Sequence, residues 1–199
     1  MKKIPTLFKR EFEGHKIVAV LPEVIDGMEW VLNGEGIATV KYDGSCCAII
    51  GGKFYLRYDA KDGKPIPDGA IKCQDEADPV TGHLPCWIPY NPDDKGMKWY
   101  FAAYKNYIAD QECDMFVPKD GTYEAIGLHF NNNMYKMNDD ILIPHGQDII
   151  EDCPRTFEGI RDYLKNHFIE GIVFWKDGEP KCKIKRSDFG FEWQPKKRR

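Results

Sequence analysis

An α+β domain rich in antiparallel strands is what this sequence predicts, and three observations carry the prediction. Short apolar or alternating runs are joined by tight turns at Asp43-Gly44, Gly51-Gly52 and Lys176-Asp177-Gly178-Glu179, which suit hairpins and meanders. Helical spacing is confined to residues 96–113 and 156–167, so helices do not alternate with strands as in a doubly wound fold. The chain has 199 residues, 42% of them hydrophobic and 30% charged, enough to bury one sizeable core. One domain is expected over 1–190, followed by a basic tail over 191–199.

The elements follow in order. Residues 16–21 and 36–58 read as strands, the second a meander broken at Asp43-Gly44 and Gly51-Gly52. Residues 61–95 are rich in Pro, Gly and Asp and read as a long irregular loop, more suited to function than to filler. Residues 96–113 carry Trp99, Ala102, Ala103, Tyr107 and Ile108 at helical spacing. A buried strand follows at Gly121-Thr122-Tyr123-Glu124-Ala125-Ile126-Gly127, then a polar loop through Asn131-Asn132-Asn133. Strand-like pieces at 141–144 and 147–150 flank Pro144-His145-Gly146. The 156–167 helix takes Thr156 as its N-cap. The last hairpin pairs Glu170-Gly171-Ile172-Val173-Phe174-Trp175 with Lys181-Cys182-Lys183-Ile184-Lys185.

Charge and cysteine usage remove several function classes. A net charge of −4 argues against a histone-like or polybasic nucleic-acid binder, while allowing cations focused in one groove. The terminal Pro195-Lys196-Lys197-Arg198-Arg199 reads as a solvated tail. Seven scattered cysteines form no disulfide framework. Cys73, His83 and Cys86 are the residues to consider for zinc, but no Cys-x-x-Cys pair supports them, and reduced, mostly buried thiols are expected. No apolar run reaches membrane-spanning length, and Met1-Lys2-Lys3-Ile4-Pro5 opens no signal region. The expectation is an intracellular protein, cytoplasmic or nuclear, with no membrane partner, acting as a monomer.

Besides the lone Lys41, three charged features break the usual burial rules for strands. Lys41 ends a β-branched run at Lys41-Tyr42-Asp43-Gly44, Glu124 lies inside one strand, and Glu170 opens another. Lys183 and Lys185 share a face of a third, since side chains two apart in a strand point the same way. Charges in such positions are rarely buried unless paired or liganded. Each has a plain structural reading: a hairpin with an exposed lysine, a glutamate on a backbone end, a solvated lysine face. Singly, those readings stand.

In order along the chain, however, Lys41-x-Asp43-Gly44, Arg57, Glu124, Glu170-Gly171-Ile172-Val173 and Lys183-Ile184-Lys185 resemble the motifs of the covalent nucleotidyltransferase superfamily of polynucleotide ligases and messenger-RNA capping enzymes. The resemblance spans about residues 37–190. Thr122 to Gly127, the Asn131/Asn133 loop, Ile143-Pro144-His145-Gly146 and Phe189-Gly190-Phe191-Glu192-Trp193 look like the ATP-dependent RNA ligase group that contains vertebrate RNA ligase 1 and its viral relatives. Where that group continues with Gly-Pro and an Asn-Pro loop, this chain has Gly127-Leu128-His129-Phe130 and Asn133-Met134, so no residue is assigned to stacking on adenine.

The resemblance implies an ATP-grasp-like ligase adenylation domain without an appended oligonucleotide-binding barrel. It implies ATP with Mg2+ or Mn2+, and RNA carrying 5′-phosphate and 3′-hydroxyl ends, in an RNA-repair reaction. Lys41 would be the nucleophile that becomes lysyl-AMP. Glu124 would hold the ribose, Arg57 a hydroxyl or phosphate, Glu170 the metal, and Lys183 and Lys185 the phosphates, while Asp43 shapes the turn. A free lysine has a pKa of about 10.4, so only roughly one in two thousand is neutral at pH 7. Desolvation and neighbouring cations are therefore required of the site. The alternatives are a capping-type guanylyltransferase, a DNA nick ligase, a non-catalytic RNA-end binder and a plain α+β scaffold with a basic tail for protein partners; the absent barrel weighs against the first two, the intact charged set against the third, and the ordered charge pattern, left unexplained, against the fourth.

Overall fold

The computed structural model describes residues 1–14, 16–61, 64–79, 81–110 and 118–193. The strands are β1 (Phe8–Glu13), β2 (Lys16–Val24), β3 (Ile37–Lys41), β4 (Ser45–Ile50), β5 (Lys53–Ala60), β6 (Ile71–Lys72), β7 (Leu84–Pro89), β8 (Gly121–Ile126), β9 (Ile141–Pro144), β10 (Gly171–Lys176) and β11 (Glu179–Lys185). The helices are α1 (Lys98–Ala109) and α2 (Phe157–Asn166). All strand ladders are antiparallel, so the fold is sheet-rich and mixed, with two α-helices among the described residues. No helix among the described residues is long and apolar enough to cross a membrane. The first helix ends at Ala109, with Asp110 as its C-cap; residues 111–113 of its predicted span and the basic run at 195–199 lie outside the described residues.

The chain packs as two compact units. One holds Met1–Lys3 and Asp43–His145, the other Ile4–Tyr42 and the residues from Gly146 on. The first is built on a six-stranded sheet in the order β6-β7-β5-β4-β8-β9. Its core gathers Cys47, Ile49, Leu56, Tyr123 and Leu142 under α1, which contributes the buried Ala103 and a row of tyrosines at 100, 104 and 107. Spacing of three and four residues places those side chains on one helical face.

The irregular loop expected over 61–95 contains two strands, β6 and β7. Pro85 and Pro89 concealed β7, because proline within a run normally argues against a strand. Here the Tyr90 N–H donates to the Phe54 carbonyl, whereas the Pro85 carbonyl accepts from the Cys73 N–H, at 2.9 Å each. Backbone groups alternate sides along a strand, so both proline nitrogens face away from β5 and no ladder donor is lost there.

The second unit holds the β1-β2 ladder, a three-stranded sheet in the order β11-β10-β3, and α2. Ala38, Ile172, Phe174, Cys182 and Ile184 form one apolar sheet face, each at most 1% exposed, and share a cluster with Phe8, Ile160 and Leu164. Thr156 caps α2 as predicted, its hydroxyl accepting from the Gly159 N–H at 3.1 Å. The other end is closed by Arg186, whose guanidinium donates to the carbonyls of Leu164, Lys165 and His167. Those are helix-terminal acceptors with no intrahelical donor.

One element departs from its reading in a way that matters for the site. Asp43-Gly44 is not a hairpin turn: β3 pairs with β10, and β4 pairs with β5 and β8. The tetrapeptide Lys41-Tyr42-Asp43-Gly44 therefore passes the chain from one sheet to another, and from one unit to the next. The predicted strand at 147–150 is a single bridge, Thr39 to Ile149, with hydrogen bonds from Val40 N–H to the Asp148 carbonyl and from Ile150 N–H to the Ala38 carbonyl.

Candidate functional site

Sheet register assembles a lysine cluster in the second unit. Gly171 lies opposite Lys41 on one side and Lys185 on the other, while Val173 lies opposite Thr39 and Lys183. Directly opposed residues share a face, so all three lysines lie on the face away from the apolar layer. Gly171 leaves the middle of that row empty. A Cβ there would come within 2.3 Å of the Ile184 carbonyl oxygen, which explains the glycine without any unusual backbone angle.

Glu170 supplies the counter-charge. Its Oε2 is 2.5 Å from Lys41 Nζ and its Oε1 is 2.8 Å from Lys185 Nζ. The carboxylate is almost fully buried, whereas side-chain exposure is 20% for Lys41 and 33% for Lys185. A buried carboxylate needs such partners. Lys183 is held differently: burial first, and then the charges of Lys41 and Lys185, push its ammonium down from 10.5 to about 8. Thr6 covers the outer edge of β11 by a parallel bridge to Lys183, with Leu7 N–H donating to the Lys183 carbonyl at 2.7 Å. Beside Lys41, the Tyr42 hydroxyl donates to Asp148 at 2.5 Å, and burial followed by that bond raises the phenol well above its ordinary value.

The first unit carries the remaining expected residues. Glu124 Oε1 accepts from the Gly44 N–H at 3.0 Å, and Oε2 lies 2.9 Å from His145 Nε2. His145 Nδ1 in turn lies 2.9 Å from the Thr122 hydroxyl. Asp43 shapes its turn through two contacts: its N–H donates to the Tyr135 hydroxyl at 2.7 Å, and its carboxylate accepts from the Asn131 amide at 2.7 Å. That amide also donates to the Gly44 carbonyl, at 2.8 Å. Arg57 donates to Asp59 at 2.7 Å and to the Met1 carbonyl at 2.8 Å, and lies over the Trp87 ring.

Lys41, Glu170, Lys183 and Lys185 are thus brought together as the sequence suggested, while Glu124 and Arg57 belong to the other unit. Glu170 was expected to support a divalent ion, but both its oxygens are held by lysines. A magnesium ion demands a near-octahedral set of oxygens. In this arrangement Glu170 bridges two ammonium groups. Sequence reasoning missed Cys46 and His145 as neighbours of Glu124. No sequence signal marked them, because their meeting follows from the register of β4, β8 and β9. Chemically, the cluster of three lysines and one carboxylate is a cationic surface in which one carboxylate bridges two amines. No known protein-family profile matches this chain, and no curated protein matches it.

Proposed function

We propose that this protein is an ATP-dependent RNA ligase with an adenylyltransferase fold, in which Lys41 is the covalent nucleophile. The observation that carries the reading is the lysine cluster itself: three amines on one sheet face around a single buried carboxylate. Such a concentration of positive charge is unfavourable to maintain unless it meets an anion, and a triphosphate is a suitable one.

In the proposed reaction the neutral Lys41 amine attacks the α-phosphorus of MgATP. The N–P bond forms as the P–O bond to pyrophosphate breaks, and the amine proton passes to solvent or base. Lys183 and Lys185 offset charge gathering on the phosphates, and Glu170 positions the Lys41 and Lys185 amines before the substrate arrives. AMP is then transferred to an RNA 5′-phosphate, and a 3′-hydroxyl displaces it to seal the strand. Glu124 and Arg57 keep their ribose and phosphate roles on the sequence resemblance alone.

The test is to incubate the protein with α-labelled ATP and magnesium and to ask for label on the denatured chain. The wild type is expected to be labelled and Lys41→Met to be blank. Label retained in Lys41→Met, or none in the wild type with any nucleotide, overturns the proposal. Labelled GTP in parallel distinguishes a capping enzyme, and nicked 5′-phosphorylated RNA against DNA distinguishes a DNA ligase.

A further inference from the structure

In the first unit, three side chains of different chemistry converge from three neighbouring strands. Cys46 on β4 lies directly opposite Glu124 on β8. Glu124 lies opposite Ile143 on β9, and His145 follows β9 with its N–H on the Thr122 carbonyl at 3.0 Å. A sulfur, a carboxylate oxygen and an imidazole nitrogen all fall within 4.8 Å of one another.

We propose that Cys46, Glu124 and His145 form a site for a thiophilic divalent cation of the zinc type. Bond lengths to zinc of about 2.3 Å for sulfur and about 2.0–2.2 Å for nitrogen and oxygen place tetrahedral ligands roughly 3.3–3.7 Å apart. Thiolate, imidazole and carboxylate make a mixed soft and borderline set that favours zinc over magnesium. Binding forms three protein–metal bonds, and the Cys46 thiol proton leaves to solvent.

The surroundings fit the role. The Thr122 hydroxyl at His145 Nδ1 accepts an N–H once Nε2 turns to a metal, and the Gly44 N–H holds the other oxygen of Glu124. Outer partners of this kind orient metal ligands. Side-chain exposure is 18% for His145 and 12% for Glu124. A bound ion withdraws Glu124 from any other ligand. On the ligase reading, where Glu124 holds the ribose, zinc is therefore an inhibitor of nucleotide binding; that consequence rests on the proposed function, while the metal site does not.

The experiment uses the full chain, stripped with chelator and kept reduced. Titration with Co2+ is expected to give one equivalent of tetrahedral visible bands and a thiolate charge-transfer band, and Zn2+ to displace them stoichiometrically. Cys46→Ser removes the charge-transfer band, whereas Cys73→Ser and Cys86→Ser keep it. Thr122→Val weakens zinc at least about tenfold against a chromophoric chelator. A wild type without the thiolate band, or zinc affinity unchanged in Cys46→Ser, overturns the site whatever the folding of other variants. Zinc should also lower ATP labelling of the wild type and leave Cys46→Ser at its own metal-free level. Equal zinc sensitivity in the two proteins overturns the inhibitory consequence. No labelling under any condition sinks the ligase reading and leaves the metal titration standing.

Discussion

Replacing Lys183 by methionine should make the protein more stable and less active. The folded chain holds this ammonium at about 8 against an ordinary 10.5. At about 1.4 kcal/mol per pH unit, the charged form is destabilised by roughly 3 kcal/mol. Below pH 8 both folded and unfolded chains carry the charge, so the native state bears the whole penalty. As pH rises through about 8 the folded chain loses its proton first, and stability increases until the unfolded lysine also titrates near 10.5. Methionine keeps the stem and removes the charge. Lys183→Met should gain roughly 3 kcal/mol at about pH 7, and less than half of that at about pH 9.5. Urea titrations of both proteins at the two pH values, with equal m-values, read the difference directly. On the proposed ligase reading, removing one electrostatic stabiliser of this kind slows chemistry by about 100-fold or more, so ATP labelling should fall as stability rises. A variant less stable at neutral pH, or a gain that does not shrink in alkali, refutes the view that Lys183 is held against burial and two neighbouring amines.

Glu170→Gln leaves Lys41 and Lys185 without their shared carboxylate. Because both lysines are partly exposed, a loss of roughly 2–3 kcal/mol is expected, less than for a fully buried pair. High salt should recover part of it by screening, and an unchanged urea midpoint would show the pairs to be idle. Gly171→Ala forces a methyl against the Ile184 carbonyl between the two lysines. It should cost roughly 1–3 kcal/mol in urea unfolding and depress labelling together; wild-type behaviour in both assays would mean that the sheet relaxes freely there.

The sheet-rich α+β character was legible because tight glycine turns and alternating strands are local signals. Thr156 was legible for the same reason, as a cap followed by a helical apolar pattern. Strand β1, Phe-Lys-Arg-Glu-Phe-Glu, escaped because only Phe8 of its residues is buried, so its composition resembles a solvated loop. Strand β7 escaped because its prolines look like breakers until their nitrogens are known to face away from β5. The Asp43-Gly44 turn misled for a different reason. Turn chemistry specifies a reversal in the backbone but not which strands pair across it, and here pairing is decided by β8 and β10. The lysine cluster could be read because alternation puts residues 183 and 185 on one face. Its closure by Glu170, and the meeting of Cys46 and His145 at Glu124, depend on register between distant strands, which spacing along the chain does not encode.

The register of β3, β10 and β11 makes the apolar core a proofreader of the lysine cluster. Side chains alternate with a period of two, so sliding β3 or β11 by one residue against β10 would exchange the two faces. Lys41, on β3, or Lys183 and Lys185, on β11, would then enter the layer that holds Ile172 and Phe174, and the apolar residues of the slipped strand would turn outward. Burying even one unpaired ammonium approaches the whole stability of a domain, about 5–15 kcal/mol. A misregistered chain is thereby rejected at the folding step. Molecules that pass carry all three amines on the face away from the core, so selection for a sound core also fixes the side on which the lysine cluster stands.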